Sequence, residues 1–410
     1  MRLVAVPTPK PAVQRQRRHI KGWAMLCLVL LVAAGVTMYM RPLPSATVQL
    51  SLPASPAVTQ PSLAWPAAGK AALSAEGYTF IASNTSSTGV STASIAKVIT
   101  VLCVLQKYPL KPGETGPTLT MTAGDVARLE KEIARNGTHL DIVEGEQLTE
   151  YQAIQAIMLP SANNISDTLA VWAFGSIDAY LTYANAYVEA HGMSQTYVKG
   201  DASGFDPTTV STTADLITLA KLALQQPVLM EIAGQQSATF QTAGTVYNHN
   251  TKAGDGIITG LKTGRNDGNS GSVLFTATVG KGAEAVQLAG VVADAGTLKN
   301  ALDSAETLVK SAADDFVTTT HIHKGEVVGT IRTAWGSTAA VVAGSDASLR
   351  HWGGSKVYQA VEKEPLIDGT KEAVVATLHL KADGHKSSTK LLVSQPTAPP
   401  GIWWRLSHWR

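Results

Sequence analysis

The sequence predicts an α+β protein. An antiparallel sheet lies beside a helical subdomain, a small C-terminal β-sandwich domain follows, and a transmembrane helix precedes both. Three observations predict this. Strand-like stretches open and close residues 66–314, and the apolar stretches between them have helical length or period. From residue 315 to 395 the pattern turns to β-branched or alternating runs separated by glycines. Ahead of everything, residues 22–40 form an uncharged run rich in Leu, Val, Ala and Met.

Residues 1–21 are basic, with Lys10, Arg15, Arg17, Arg18, His19 and Lys21. As a helix, residues 22–40 would span about 28 Å, close to the thickness of a bilayer core. The positive cluster ahead of that run keeps the N-terminus in the cytoplasm and sends the rest outside. A cleaved signal peptide is the competing reading. The run is long for one, and no Ala-x-Ala site follows closely, so an uncleaved anchor is favoured. Residues 41–65 carry Pro42, Pro44, Pro53, Pro56 and Pro61 among small residues, a composition that suits an extended linker.

Two short strands, 70–73 and 78–82, flank a turn at Glu76-Gly77, and a polar loop over 83–89 leads on to Ser91-Thr92-Ala93. Residues 98–105 are apolar without a break, which fits a helix buried on most sides. An amphipathic helix is expected over 125–133. The stretch 145–149 then leads into an apolar helix, 151–159, which Pro160 ends. Further helices are expected over 165–174 and over 215–225, the latter capped by Ser211, Thr212 or Thr213. Residues 257–261, 272–279 and 283–292 read as an antiparallel meander. Leu298, Leu302, Ala305, Leu308, Val309 and Ala312 then fall at helical spacing, as on a helix laid over that sheet.

In the β-rich region, strands are expected over 317–323, 327–333, 339–343 and 373–381. His321 and His323 would share one strand face, but nothing nearby completes a metal-ligand set, and solvated edge histidines are the expectation. The tail, 396–410, sets Trp403, Trp404 and Trp409 beside Arg405 and Arg410. Such a mixture suits a membrane interface as well as it suits a disordered tail or one docked on the β domain.

Composition removes several function classes. A net charge of +2 gives no basic field for nucleic acid. Cys27 and Cys103 both lie in apolar runs and are not expected to pair. No His-Glu-x-x-His and no Cys/His metal spacing is present, so nothing supports zinc peptidase chemistry.

Three short motifs carry chemistry. The first is Ser94-Ile95-Ala96-Lys97 at the head of the buried helix. Positions three apart share a helix face, so the hydroxyl and the amine can meet. A serine hydroxyl needs a base, and lysine serves as one when burial or nearby cations lower its pKa. By itself the pattern is weak, and a helix cap with a solvated lysine is the bland alternative. The second motif is Ser161-Ala162-Asn163, in a loop after Pro160 that presents a hydroxyl and an amide. A cap for the next helix, from Ser161 or Asn164, would account for it equally well. The third is Lys262-Thr263-Gly264, followed by Arg265. Its glycine would let another backbone approach closely, and a strand ending in a turn is the alternative.

In this order the three motifs form the signature of penicillin-binding proteins and class A β-lactamases. The chain resembles that serine DD-peptidase superfamily. Within it, the chain is most similar to the D-alanyl-D-alanine carboxypeptidases among the low-molecular-weight penicillin-binding proteins. The resemblance spans residues 66–314, and more loosely reaches about 395. It implies the β-lactamase/DD-peptidase fold, with the site between sheet and helices, and an accessory β domain behind it.

The resemblance also implies roles. Ser94 would be the nucleophile and Lys97 its base. Ser161 would relay a proton to the leaving amine. Asn163 would hold the substrate backbone or Lys97, and Lys262 would supply positive field. Thr263 would bind the terminal carboxylate, and the substrate would add as a strand along 262–265, past Gly264. Backbone N–H groups of Ser94 and Arg265 would form the oxyanion hole. No cofactor or metal is implied. The expected partners are peptidoglycan stem peptides ending in D-Ala-D-Ala, β-lactams as inhibitors, and the membrane, with the chain a monomer.

Two departures from the family pattern stand out. Arg265 occupies a place where some members carry His, and a cation there could hold a carboxylate. No counterpart of the distal arginine used by some members occurs in 241–250. Rival readings follow from the same motifs. A class A β-lactamase would need a deacylating Glu after Ser161, and 199–206 has none. A transpeptidase differs only in its acceptor, an amine in place of water. A β-lactam sensor would need more cytoplasmic chain than residues 1–21, and a bare peptidoglycan-binding module would be expected to lose motif residues.

Overall fold

The computed structural model describes residues 13–408, apart from 56–60, 86–88, 255, 266–269, 354, 365–370 and 383. Half of the basic N-terminal segment, the middle of the 83–89 loop, and Trp409 with Arg410 therefore lie outside the described residues.

The sheet that positions the site has five antiparallel strands. In spatial order they are Ile258–Arg265, Gly271–Val279, Val286–Ala293, Lys70–Ala75 and Ile81–Ser83. Strands from the two ends of residues 66–314 thus meet side by side, with Ala72 opposite Val291. The central strands are apolar almost throughout because both faces are covered. The helix Leu298–Ala312 covers one face, burying Ala301, Leu302, Ala305, Leu308, Val309 and Ala312. The helical subdomain covers the other. At its centre, helix Ala96–Lys107 is buried from Ala96 to Leu105, which is why its sequence lacks a polar face.

Around it pack Glu150–Met158, Asn163–Phe174 and Thr213–Leu224. Thr149 caps the first of these in a reciprocal capping box with Gln152, and Thr212 caps the third. Neither Ser161 nor Asn164 caps the second, whose N-cap is Ala162 with no side-chain bond.

The expected linker over 41–65 is corrected. Thr47–Leu50 pairs antiparallel with Val327–Arg332, from Thr47 opposite Arg332 to Leu50 opposite Gly329. It is the first strand of a six-stranded sheet in the C-terminal domain. The four residues Thr-Val-Gln-Leu alternate, and Val48 and Leu50 lean on that domain's core. Pro44 and Pro53 flank the strand instead of interrupting it, so a Pro-rich average hid a short pairing segment. Leu63 and Trp65 then pack on the core under the five-stranded sheet.

The other strands of the six-stranded sheet are Thr338–Ala343, His385–Val393, Val374–Ala382 and Tyr358–Lys363. A separate pair, Phe316–Ile322 with Ala347–Trp352, joins this domain to the five-stranded sheet, with Phe316 and Trp352 in that sheet's core. Trp352 is fully buried there, 5.4 Å from the Phe80 ring and stacked 5.5 Å from Phe316. The two histidines do not share a strand face as expected. A register shift falls between Thr320 and Ile322, and the strand ends before His323. Among the described residues, no group of three or more His, Cys, Asp or Glu could hold a metal ion.

The N-terminal helix, Val13–Met40, contains the apolar stretch Lys21–Met40, which is long enough to cross a membrane and packs inside nothing. The tail forms a short helix, Ile402–Ser407. Arg405 donates to the Tyr39 carbonyl and lies over the Tyr39 ring, and Trp404 meets Trp335 edge-on. Trp403 points outward and is 84% exposed.

Candidate active site

Ser94 sits in a single 3-10 turn, Ala93–Ile95, that feeds directly into helix Ala96–Lys107. The turn is held from across the site by Gly204. A Cβ at Gly204 would lie 2.1 Å from the Ala93 carbonyl oxygen, and its φ is +72°, so both space and backbone call for glycine. On the other side, Gly264 brings its strand against the same turn, with an added Cβ 3.1 Å from the Thr92 carbonyl. Close backbone approach is thus what that motif glycine provides.

Lys97 is fully buried, and its Nζ has three partners. It lies 2.9 Å from Ser94 Oγ, 2.7 Å from Asn163 Oδ1 and 2.9 Å from the Ser203 carbonyl. Burial pushes its pKa down to about 7, against the opposing pull of Asp201, Asp167 and Glu132. The identity of the partners decides which way the lone pair points. Asn163 Oδ1 and the Ser203 carbonyl can only accept. A neutral amine has two N–H groups, which these two acceptors take, and its lone pair is left facing Ser94 Oγ.

Asn163 is itself fixed. Its Nδ2 donates to Glu132 Oε2 at 2.9 Å, and Thr138 Oγ1 lies 3.2 Å from its Oδ1. Glu132 is buried and binds Arg135 through both carboxylate oxygens. The Arg135 guanidinium in turn stacks 3.6 Å over the Phe205 ring. Asp201 holds the loop carrying Ser203 by accepting from the backbone N–H groups of Ser203, Phe205 and Asp206.

Ser161 has φ +65°, and its carbonyl accepts from Thr138 Oγ1 at 2.6 Å. Its hydroxyl is buried with no hydrogen-bond partner among the described residues. Lys262 is buried on strand Ile258–Arg265, so the third motif lies inside a strand and not at a turn. Burial, then the charge of Lys97, hold its pKa well below the usual lysine range. Thr263 is buried beside it, 3.5 Å from Lys262 Nζ through its hydroxyl. Arg265 is exposed at the strand end.

Ser94, Ser161, Asn163, Thr263, Gly264 and Arg265 all line one cavity of about 710 Å³. Its described lining contains no carboxylate. His249, which sequence reasoning missed, also lines it and donates its backbone N–H to the Leu159 carbonyl, just before Ser161. Burial, then Lys262 and Lys97, push its imidazole down to about 4, so it is neutral at neutral pH. Glu132, Arg135, Thr138, Ser203 and Gly204 were missed as well. No local spacing marks them, because each meets the motifs only through the tertiary fold.

A hydroxyl beside an amine whose lone pair is aimed at it, in a cavity whose described lining carries no carboxylate, is equipped for acyl transfer through serine with lysine as the base. The profile of the D-alanyl-D-alanine carboxypeptidase family, peptidase family S11, matches residues 66–297, more than half of the chain. The chain belongs to that family.

It is 24% identical over 207 residues to the D-alanyl-D-alanine carboxypeptidase DacD of Salmonella typhimurium, covering 50% of this chain and 52% of the relative. It is 28% identical over 193 residues to DacA of Escherichia coli, covering 46% and 47%. The chain thus spans about half the length of the curated relatives it matches.

Among solved structures, penicillin binding protein 5 from Haemophilus influenzae superposes with a TM-score of 0.58 at 18% identity, covering 84% of this chain and 100% of that one. The Streptomyces K15 DD-transpeptidase superposes with a TM-score of 0.53 at 18% identity, covering 62% and 98%. Both likenesses are of fold, the DD-peptidase-like α+β arrangement.

Proposed function

We propose that this chain is a serine D-alanyl-D-alanine carboxypeptidase of cell-wall metabolism, tethered by its N-terminal helix with the catalytic region outside the cytoplasm. Ser94 Oγ attacks the carbonyl of the penultimate D-Ala of a stem peptide as its proton passes to Lys97 Nζ. The C–N bond breaks, and the proton reaches the departing D-Ala amine through the Ser161 hydroxyl. Water then attacks the ester, Lys97 again takes a proton, and Ser94 is restored. The backbone N–H groups of Ser94 and Arg265 receive the developing oxyanion, and that negative charge favours the ammonium form of Lys262, whose positive field then stabilises it. Thr263 and Arg265 hold the terminal carboxylate, with the peptide laid along the strand past Gly264. No cofactor enters any step.

The observation that carries this reading is the partner set of Lys97 Nζ, two pure acceptors and Ser94 Oγ. The unpartnered Ser161 hydroxyl supports the relay, since its donor and acceptor capacity is open to a substrate. The lack of a carboxylate in the described cavity lining favours a slowly hydrolysed adduct with β-lactams over β-lactamase turnover.

The test is mass-spectrometric detection of D-alanine released from a peptide ending in Lys-D-Ala-D-Ala. Detergent-solubilised full-length protein would be assayed beside Ser94→Ala. Release by the wild type alone is expected. A folded wild type that releases no D-alanine overturns the reading.

A further inference from the structure

Arg135 and Arg265 are the two charged side chains among the described residues lining the cavity, since His249 is neutral there. On the carboxypeptidase reading, on which this inference rests, the peptide's terminal carboxylate goes to Arg265 and its reacting carbonyl to Ser94. The residues ahead of D-Ala-D-Ala then run on along the strand past Gly264, and their side chains reach across to the remaining lining. Part of that lining is Arg135–Thr138 with Phe205, beside the loop that carries Ser161 and Asn163.

Arg135 is unusually well fixed for a surface arginine. Its Nε and Nη2 bind the buried Glu132 carboxylate, with Nε at 2.9 Å from Oε2. Its plane rests on the Phe205 ring. Nη1 has no hydrogen-bond partner among the described residues, and the side chain keeps 23% of its surface exposed. One edge of the guanidinium is therefore tied inside the protein while the rest stays available at the cavity. A planar donor held in place this way loses little freedom when it binds an anion. Neutralising Glu132 alone would not require the stack on Phe205 or a place in the cavity lining.

We propose that Arg135 is a specificity-determining residue that binds a carboxylate on the side chain of the residue preceding D-Ala-D-Ala. The preferred substrates are stems whose third residue is a diamino diacid, over stems whose third residue bears only an amine.

The test uses the full-length protein and two peptides that differ in one group. Each carries diaminopimelate before D-Ala-D-Ala, with its side-chain carboxylate either free or amidated. The wild type is expected to favour the free acid by about tenfold in kcat/KM, the scale of one charge-assisted hydrogen bond. Arg135→Gln slows both reactions through Glu132 and Asn163, but it should bring the ratio close to one. Arg135→Lys keeps a cation for Glu132 without the fork and should lower the ratio by roughly threefold. It stands in if the glutamine variant does not fold.

A wild-type ratio near one overturns the proposal while the released D-alanine keeps the carboxypeptidase reading. So does a variant that slows both peptides by the same factor, which is what a purely structural role would give. Release from neither peptide by the wild type sinks the carboxypeptidase reading itself.

Discussion

Asn163 Oδ1 accepts from Lys97 Nζ at 2.7 Å, joining two motifs that lie 66 residues apart in sequence. That bond occupies one N–H of the amine with an acceptor that can never donate. Together with the Ser203 carbonyl it turns the remaining valence of the nitrogen toward Ser94.

Asn163→Asp keeps the shape and replaces the amide with a carboxylate beside Lys97. An adjacent anion favours the ammonium, so the Lys97 pKa rises and less free amine is present at neutral pH. Acylation by a fluorescent penicillin should slow by about tenfold or more at pH 7 and recover in part by pH 9. An unchanged rate and profile would show that Asn163 does not set the state of Lys97.

On the proposed mechanism, acylation of the unaltered protein depends on neutral Lys97, whose pKa is lowered to about 7. The rate should therefore climb with pH through a midpoint near 7 and level off above it. Below the midpoint it should fall by roughly tenfold per pH unit, as for any single deprotonated base. His249, pushed down to about 4, keeps one charge state throughout and adds no second break above pH 5. Penicillin labelling rates from pH 5 to 9 test this, and a flat profile would remove Lys97 from the role of base.

Gly204→Ala should disable the site by pressing on the turn that carries Ser94. The new methyl would press on the Ala93 carbonyl and on the Ala96 side chain, 2.7 Å away, in a backbone conformation that alanine resists. A loss of about 2–3 kcal/mol in stability is expected. Penicillin labelling of the protein that still folds should fall as well, because the displaced turn carries Ser94. Denaturant unfolding with labelling of the folded fraction separates the two effects, and wild-type labelling would mean the turn tolerates the shift.

The motifs were legible because their chemistry is local. Ser94 and Lys97 are one helical turn apart, and Lys262 to Gly264 follow one another on one strand. What holds them is not local. Ser203 offers Lys97 a backbone carbonyl, which no side-chain pattern could announce. Glu132 and Arg135 look in sequence like an ordinary charged pair on an amphipathic helix end. The meander and its covering helix were legible from periodicity, since both faces of that sheet are covered. The strand His385–Val393 was not, because one face is exposed and its Lys, Ser and Thr residues mask the alternation. Thr47–Leu50 was hidden for a different reason, by prolines that lie on either side of it and not within it.

Glu150 opens the helix that ends just before Pro160 and Ser161, and it is wholly buried. Neither carboxylate oxygen has a hydrogen-bond partner among the described residues. The loop over it is close, since a Cβ on Gly116 would lie 2.7 Å from Glu150 Oε2 and from Leu110. A helix N-terminus favours a negative charge, but burial outweighs that and raises the Glu150 pKa from 4.5 to about 7. The folded state therefore holds this proton more tightly than the unfolded chain does. Its contribution to stability is complete below about 4.5 and is lost as pH rises through about 7. Glu150→Gln removes the ionisation while keeping the shape. The variant should be more stable than the wild type at pH 8.5, by about 1–2 kcal/mol, with little or no advantage at pH 5. Thermal melts of both proteins at the two pH values decide it. A difference in Tm that does not change with pH would mean that the Glu150 carboxylate is solvated and ionised in both states.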